Sequence, residues 1–199
     1  SVTLTIIWDM EFGMTWVKMM RRLLSPIVLH ASTYSELFRL STTLRTMRVK
    51  PGMVNIVMAM TVLTEPGPST ATMVMASIEG DIVTIAHVGD SRCYLQRPGQ
   101  GVVYQTQDHV RLSFGYEIVA RSFFSGHPEE AIADVVQFPV CPGDRILLCS
   151  DGVHKSMESE DLEARMMEEK SLEEILHGFD LSCWKYGDDN YTAILMEVE

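Results

Sequence analysis

Three short apolar runs in this chain each meet a loop at an aspartate, and no other feature constrains the fold as strongly. Ile82 to Val88 runs into Gly89-Asp90, Arg145 to Cys149 runs into Ser150-Asp151, and Asp188-Asp189-Asn190 precedes Tyr191 to Val198. Apolar, β-branched runs of this length read as buried strands. Val2 to Trp8 is a further such run, and it ends at Asp9. A strand end holds a carboxylate firmly at the rim of a sheet, and carboxylates converging there could hold hard divalent cations through oxygen. Gly89, Gly152 and Gly187 stand beside three of these sites and permit close backbone approach. Aspartate and glycine are equally the ordinary residues of turns. Spacing alone does not bring the sites together.

The remaining pattern places these strands in a mixed fold. Ala71 to Ile78 and Ile82 to Val88 flank Glu79-Gly80-Asp81, and Cys93 to Gln96 and Val102 to Thr106 flank Arg97-Pro98-Gly99-Gln100-Gly101. Both pairs predict hairpins. Helical spacing predicts a helix from Thr15 to Leu24 and another from about Thr33 to Thr46, with Leu37, Leu40 and Leu44 on one face. Met53 to Leu63 fits helix or strand. After Met157 helices return: Ser159 is the expected N-cap of one, and Ser171 with Glu174 matches a capping box for the next. Glu158 to Lys170 reads as a solvated acidic helix face, and the methionine-rich helices (Met14, Met19, Met20, then Met53, Met58, Met60) as core filling. Helices packed outside antiparallel sheets make an α+β sandwich, here as a single domain over residues 1–199.

Composition narrows the function classes. The chain of 199 residues carries a formal charge of −11, which argues against nucleic acid as a partner. Cys93, Cys141, Cys149 and Cys183 lack the C-x-x-C spacing of a zinc site. They read as reduced core residues, which implies a reducing, cytoplasmic setting. No apolar run approaches the roughly 20 residues of a membrane span, and the N-terminus lacks the basic region of a signal peptide. The expected particle is a monomer.

From Ser69 onward the chain resembles the protein phosphatase 2C-like (metal-dependent protein phosphatase, PPM) family. The resemblance rests on Ser69-Thr70-Ala71, Ala86-His87-Val88-Gly89-Asp90-Ser91-Arg92, Thr106-Gln107-Asp108-His109, Gly143 to Gly152, and Asp189-Asn190-Tyr191-Thr192, in that family's order. It implies a four-layer α-β-β-α sandwich with a site for two Mn²⁺ or Mg²⁺ ions. The implied reaction is hydrolysis of phosphoserine or phosphothreonine in a phosphoprotein by a metal-bridging water. Carried over residue by residue, Asp151 and Asp189 are ligands of the first metal. Asp90 with Asp151 serves a weaker third position. Asp9 stands where the family has its bridging aspartate, and the Met10 carbonyl where it has a glycine carbonyl.

The chain also departs from the family pattern. Trp8-Asp9-Met10-Glu11-Phe12-Gly13 lacks most of the glycines of Asp-Gly-x-Gly-Gly, and no counterpart of the phosphate-gripping Arg precedes Val2. The stretch from His109 to Pro142 is short, implying a reduced flap, and Arg121-Ser122-Phe123 loosely resembles the segment beside it. These departures leave an alternative open, a catalytically impaired regulatory or binding module. Of the histidines, His87 is expected as a hydrogen-bonded core residue and His109 as packing within its turn. His154, beside Asp151, is the better candidate for a role at the site.

Overall fold

The computed structural model describes residues 43–49, 55–63, 70–124 and 132–199, all within one compact unit. Twelve strands and three helices are defined there. Strands β1 (Thr43–Val49), β2 (Asn55–Leu63), β3 (Thr70–Glu79), β4 (Ile82–Val88), β5 (Arg92–Arg97) and β6 (Gly101–Gln105) come first. Then follow β7 (Val110–Ser113), β8 (Tyr116–Val119), β9 (Phe123–Phe124), β10 (Asp134–Pro139) and β11 (Arg145–Cys149). Helices α1 (Asp151–His154), α2 (Ser159–Met166) and α3 (Leu172–Tyr186) lead to β12 (Thr192–Val198). One sheet runs β1-β12-β11-β5-β6, the other β10-β4-β3-β2 with β9 beside β3, and β7-β8 form a separate ribbon. Every pairing is antiparallel except β1 with β12.

The apolar runs lack strict alternation because the central strands are covered on both faces. Ile146 and Leu148 of β11, Cys93 and Leu95 of β5, and Ile194 and Met196 of β12 meet Val74, Ala76, Val83 and Ile85 of the second sheet. The intervening residues Leu147, Cys149, Tyr94, Ala193 and Leu195 point the other way, onto Leu162, Met166, Ile175 and Phe179 of α2 and α3. Each fully buried Leu, Ile or Phe contributes about 1.5–3 kcal/mol through removal of its surface from water. The described residues thus supply a helix layer and two sheets of the expected sandwich; the helix read at 15–24 lies outside them.

Several expectations change. Of the helix expected over 33–46, residues 33–42 lie outside the described residues, and Thr43–Val49 is β1, paired in parallel with Thr192–Val198. Leucine spacing suggested a helix, but Thr43, Thr46 and Val49 favour extended backbone and the open edge of β12 supplies hydrogen-bond partners. Of the run Met53 to Leu63 the described part, Asn55–Leu63, is strand, so Met58 and Met60 lie on β2 rather than a helix. Glu158, not Ser159, occupies the N-cap of α2, and it makes no side-chain capping bond. Three cysteines are buried as expected, but Cys141 is exposed because it sits in the turn before β11. Burial pushes the Cys149 thiol up to about 12, so it stays protonated and inert.

The β7-β8 ribbon escaped the sequence reading. Its turn is Phe114-Gly115, with φ of 51° and 85°, where Asn-Gly is the usual signal for two left-handed residues. By contrast, the capping box at α3 forms as read. Ser171 Oγ accepts from the Glu174 N–H at 3.2 Å, and Glu174 Oε2 accepts from the Ser171 N–H at 3.0 Å. Among the described residues no helix is long and apolar enough to cross a membrane.

Candidate metal and phosphate site

Strand register brings the aspartates together. Arg92 of β5 pairs with Cys149 of β11, and Cys149 pairs with Ala193 of β12. Because neighbouring strands run oppositely, residues just before Arg92, just after Cys149 and just before Thr192 all emerge at one end of the sheet. Those residues include Asp90, Asp151 and Asp189. Asp90 also lies where the chain crosses from β4 of one sheet to β5 of the other, at the mouth of the sandwich.

Local bonds fix each loop. The Ser150 N–H donates to the Thr192 carbonyl, and the Thr192 N–H donates to Ser150 Oγ, both at 2.9 Å. This clamp lays Asp151-Gly152 against Asn190: a Cβ added at Gly152 would overlap the Asn190 carbonyl oxygen. Asp151 Oδ1 accepts from the Gly152 N–H at 3.0 Å. The Asp189 residue is exposed, and its Oδ1 accepts from the Asn190 N–H at 2.7 Å.

The Asp90 loop is braced from three sides. Gly89 has a φ of 100°, and a Cβ there would overlap Thr72, whose Oγ1 shares a hydrogen bond of 2.9 Å with Ser91 Oγ. The His109 N–H donates to the Gly89 carbonyl at 2.9 Å, and the Gly89 N–H donates to His109 Nδ1 at 3.2 Å. The Asp90 carbonyl accepts from His154 Nε2 at 3.0 Å. Arg92 then grips Asp108 with Nε and Nη2, each at 2.8 Å. The Thr106-to-His109 segment is therefore a strut beneath the Asp90 loop. His154 is likewise a positioning residue.

Asp90 and Asp151 converge on one cation position. Lys155 Nζ lies 2.7 Å from Asp151 Oδ2 and 3.5 Å from Asp90 Oδ2. Burial holds the Asp90 carboxyl above the usual range, the charge of Asp151 raises it further, and Lys155 opposes both. A pair of hard carboxylate oxygens aimed at one point fits a divalent cation in donor chemistry and charge. Asp9 and Met10 lie outside the described residues.

A second cluster stands below this rim. Ligand atoms of His87, His109 and Asp134 lie within 4.8 Å of one another, and the two imidazoles stack with centroids 4.4 Å apart. Their bonding is already complete in the main. His87 Nε2 bonds the Gln107 carbonyl at 2.9 Å, so His87 is the hydrogen-bonded core residue expected. His109 Nδ1 accepts a hydrogen bond from the Gly89 N–H, which leaves its Nε2–H to donate to Asp134 at 3.1 Å. Arg121 holds both oxygens of Asp134, each at 3.0 Å. This donor set suits an internal brace better than a metal.

Lys155, Asp108 and His109 were the functional neighbours that sequence reading left without these roles. A lysine four residues after Asp151 was the available signal for the first, since that spacing puts both on one helix face.

The family model of Stage II sporulation protein E (SpoIIE) matches residues 52–183. The chain is 30% identical over 145 residues to the serine/threonine phosphatase stp of Listeria innocua, covering 63% of this chain and 56% of that protein. It thus spans little more than half the length of this relative. The S. agalactiae serine/threonine phosphatase structure superposes with a TM-score of 0.56 at 25% identity, covering 66% of this chain and 60% of that one. The catalytic domain of the phosphatase PstP, described in complex with 2 manganese ions, superposes with a TM-score of 0.51 at 20% identity, covering 64% and 57%.

Proposed function

Because the chain belongs to the SpoIIE family of protein phosphatase 2C-type domains, we propose that it is a Mn²⁺- or Mg²⁺-dependent serine/threonine protein phosphatase acting on a phosphoprotein. The observation that carries this reading is the convergence of Asp90 and Asp151 on a single cation position at the mouth of the sandwich. The manganese of the PstP structure is that protein's property, and it motivates manganese as the first ion to test. When bound, the ions supply charge neutralisation at the phosphoryl group and a water acidified for in-line attack.

The chain's own residues would do the rest. Asp151 and Asp189 offer oxygens from adjacent loops clamped by Ser150 and Thr192. Asp90 offers a third, held by His154 and by the Thr106-to-His109 strut that Arg92 grips. Asp9 and the Met10 carbonyl would complete the set. Rigid donors of this kind need no reorganisation when charge develops on the phosphoryl oxygens.

The test is hydrolysis of a phosphothreonine peptide and of p-nitrophenyl phosphate by the full-length protein, with and without manganese. Activity that requires manganese and disappears in Asp151→Asn is the expected result. A folded protein with no manganese-dependent turnover would sink the proposal. One observation favours a second reading, a phosphatase-fold regulatory or binding module: Lys155 already neutralises part of the acidic pair. Metal binding without turnover would support that reading instead.

A further inference from the structure

Lys155 stands where the two carboxylates need a cation. It follows the single turn of α1, and its N–H donates to the Asp151 carbonyl at 2.9 Å. That bond fixes the base of the side chain one turn above Asp151, so the ammonium reaches back across the Asp151 and Asp90 carboxylates. Asp90 has a side chain only 10% exposed, so its charge in particular is costly without a nearby positive group. The lysine side chain is 53% exposed, which leaves it a path to solvent.

A divalent ion shared by Asp90 and Asp151 would need carboxylate oxygens at roughly 2.0–2.6 Å. The ammonium at 2.7 Å from Asp151 Oδ2 fills that space, and a divalent ion brought to the same carboxylates would be repelled by its charge. We infer that Lys155 is a built-in cation that takes the place of a metal ion between Asp90 and Asp151, limiting how many divalent ions the site holds. The inference rests on the reading of Asp151 as a metal ligand. It keeps Asp90 and Asp151 in an ion pair within the chain at low metal concentration, and makes them donors to the ion that displaces the lysine. Because the lysine is half exposed, high metal concentration would displace it.

The measurement is manganese bound per chain at equilibrium, followed by the electron paramagnetic resonance signal of free Mn²⁺, for the wild type, Lys155→Met and Lys155→Arg. Lys155→Met should bind one more ion per chain than the wild type, or bind its weakest ion about tenfold more tightly. Lys155→Arg, which keeps the charge, should match the wild type. Melting curves without metal check that each variant is folded, and added manganese should stabilise Lys155→Met more than the wild type. Equal stoichiometry and affinity in wild type and Lys155→Met would overturn this inference and leave the metal reading standing. No manganese binding by either protein would overturn the metal reading itself, and the inference with it.

Discussion

Gly152 lies directly against the carbonyl oxygen of Asn190, with no room for a Cβ between them. This contact sets the spacing between the loop carrying Asp151 and the loop carrying Asp189. Gly152→Ala must push the two loops apart, and overpacking of this kind costs about 1–3 kcal/mol. Urea unfolding should show that loss. Manganese affinity should fall in parallel, whereas an effect confined to stability would argue that the two loops do not share an ion.

Asp144 has a fully buried side chain that accepts from Arg97 Nε at 3.0 Å, from Arg97 Nη2 at 2.8 Å and from the Cys141 N–H at 2.9 Å. Removing one partner of a buried pair leaves its other donors unmatched. Asp144→Ala should cost about 3 kcal/mol, the lower end for such pairs because Arg97 is partly exposed. Asp144→Asn keeps an acceptor for Cys141 and should cost about 1–2 kcal/mol. Thermal melts of the two variants would show whether that order holds.

Arg92 and Asp108 form a two-pronged ion pair of 2.8 Å on each arm. A lysine cannot reproduce that fork. Arg92→Lys and Asp108→Asn should each loosen the Asp90 loop, with a coupling of about 1–2 kcal/mol in a double-mutant cycle. Strict additivity of the two single changes would show that the fork contributes nothing beyond its separate halves.

Acid should weaken the fold in two stages. His109 and His154 both sit below the ordinary histidine value of 6.5, each first because burial disfavours the charged ring. Their folded forms bind protons less readily than the unfolded chain, so their contribution is fully present above about 6.5 and is lost as pH falls toward the lower folded values. The Arg121 bonds, then that of His109, hold Asp134 at about 2 against 3.8 in free form. Its contribution therefore persists above 3.8 and vanishes as pH falls through about 2. Asp90 runs the opposite way: its raised value means that protonation relieves a burial cost. Urea midpoints should drop between pH 7 and pH 5.5, and His109→Asn should reduce that slope; a flat profile in the wild type would refute the assignment.

The strands around the site were legible because their signals are local. Ile82 to Val88, Arg145 to Cys149 and the closing run of β12 are predominantly apolar, and turn residues bound them. The α3 capping box was legible for the same reason, since both partners lie within four residues. The β1 strand was not, because nothing near Thr43–Val49 announces that the free edge of β12 awaits it. The Phe114-Gly115 turn was missed because its left-handed backbone is imposed by the ribbon rather than suggested by the residue.

By itself the sequence determined that Asp90, Asp151 and Asp189 stand at strand ends, as carboxylates of the kind a hard cation takes. Only the tertiary structure decided that Asp90 and Asp151 share one position, because that depends on the register of β5, β11 and β12 across long sequence separations. It also decided that Lys155 occupies that position. A helical spacing of four permits such a contact, but only the crossing from β4 to β5 carries Asp90 within reach of the same ammonium.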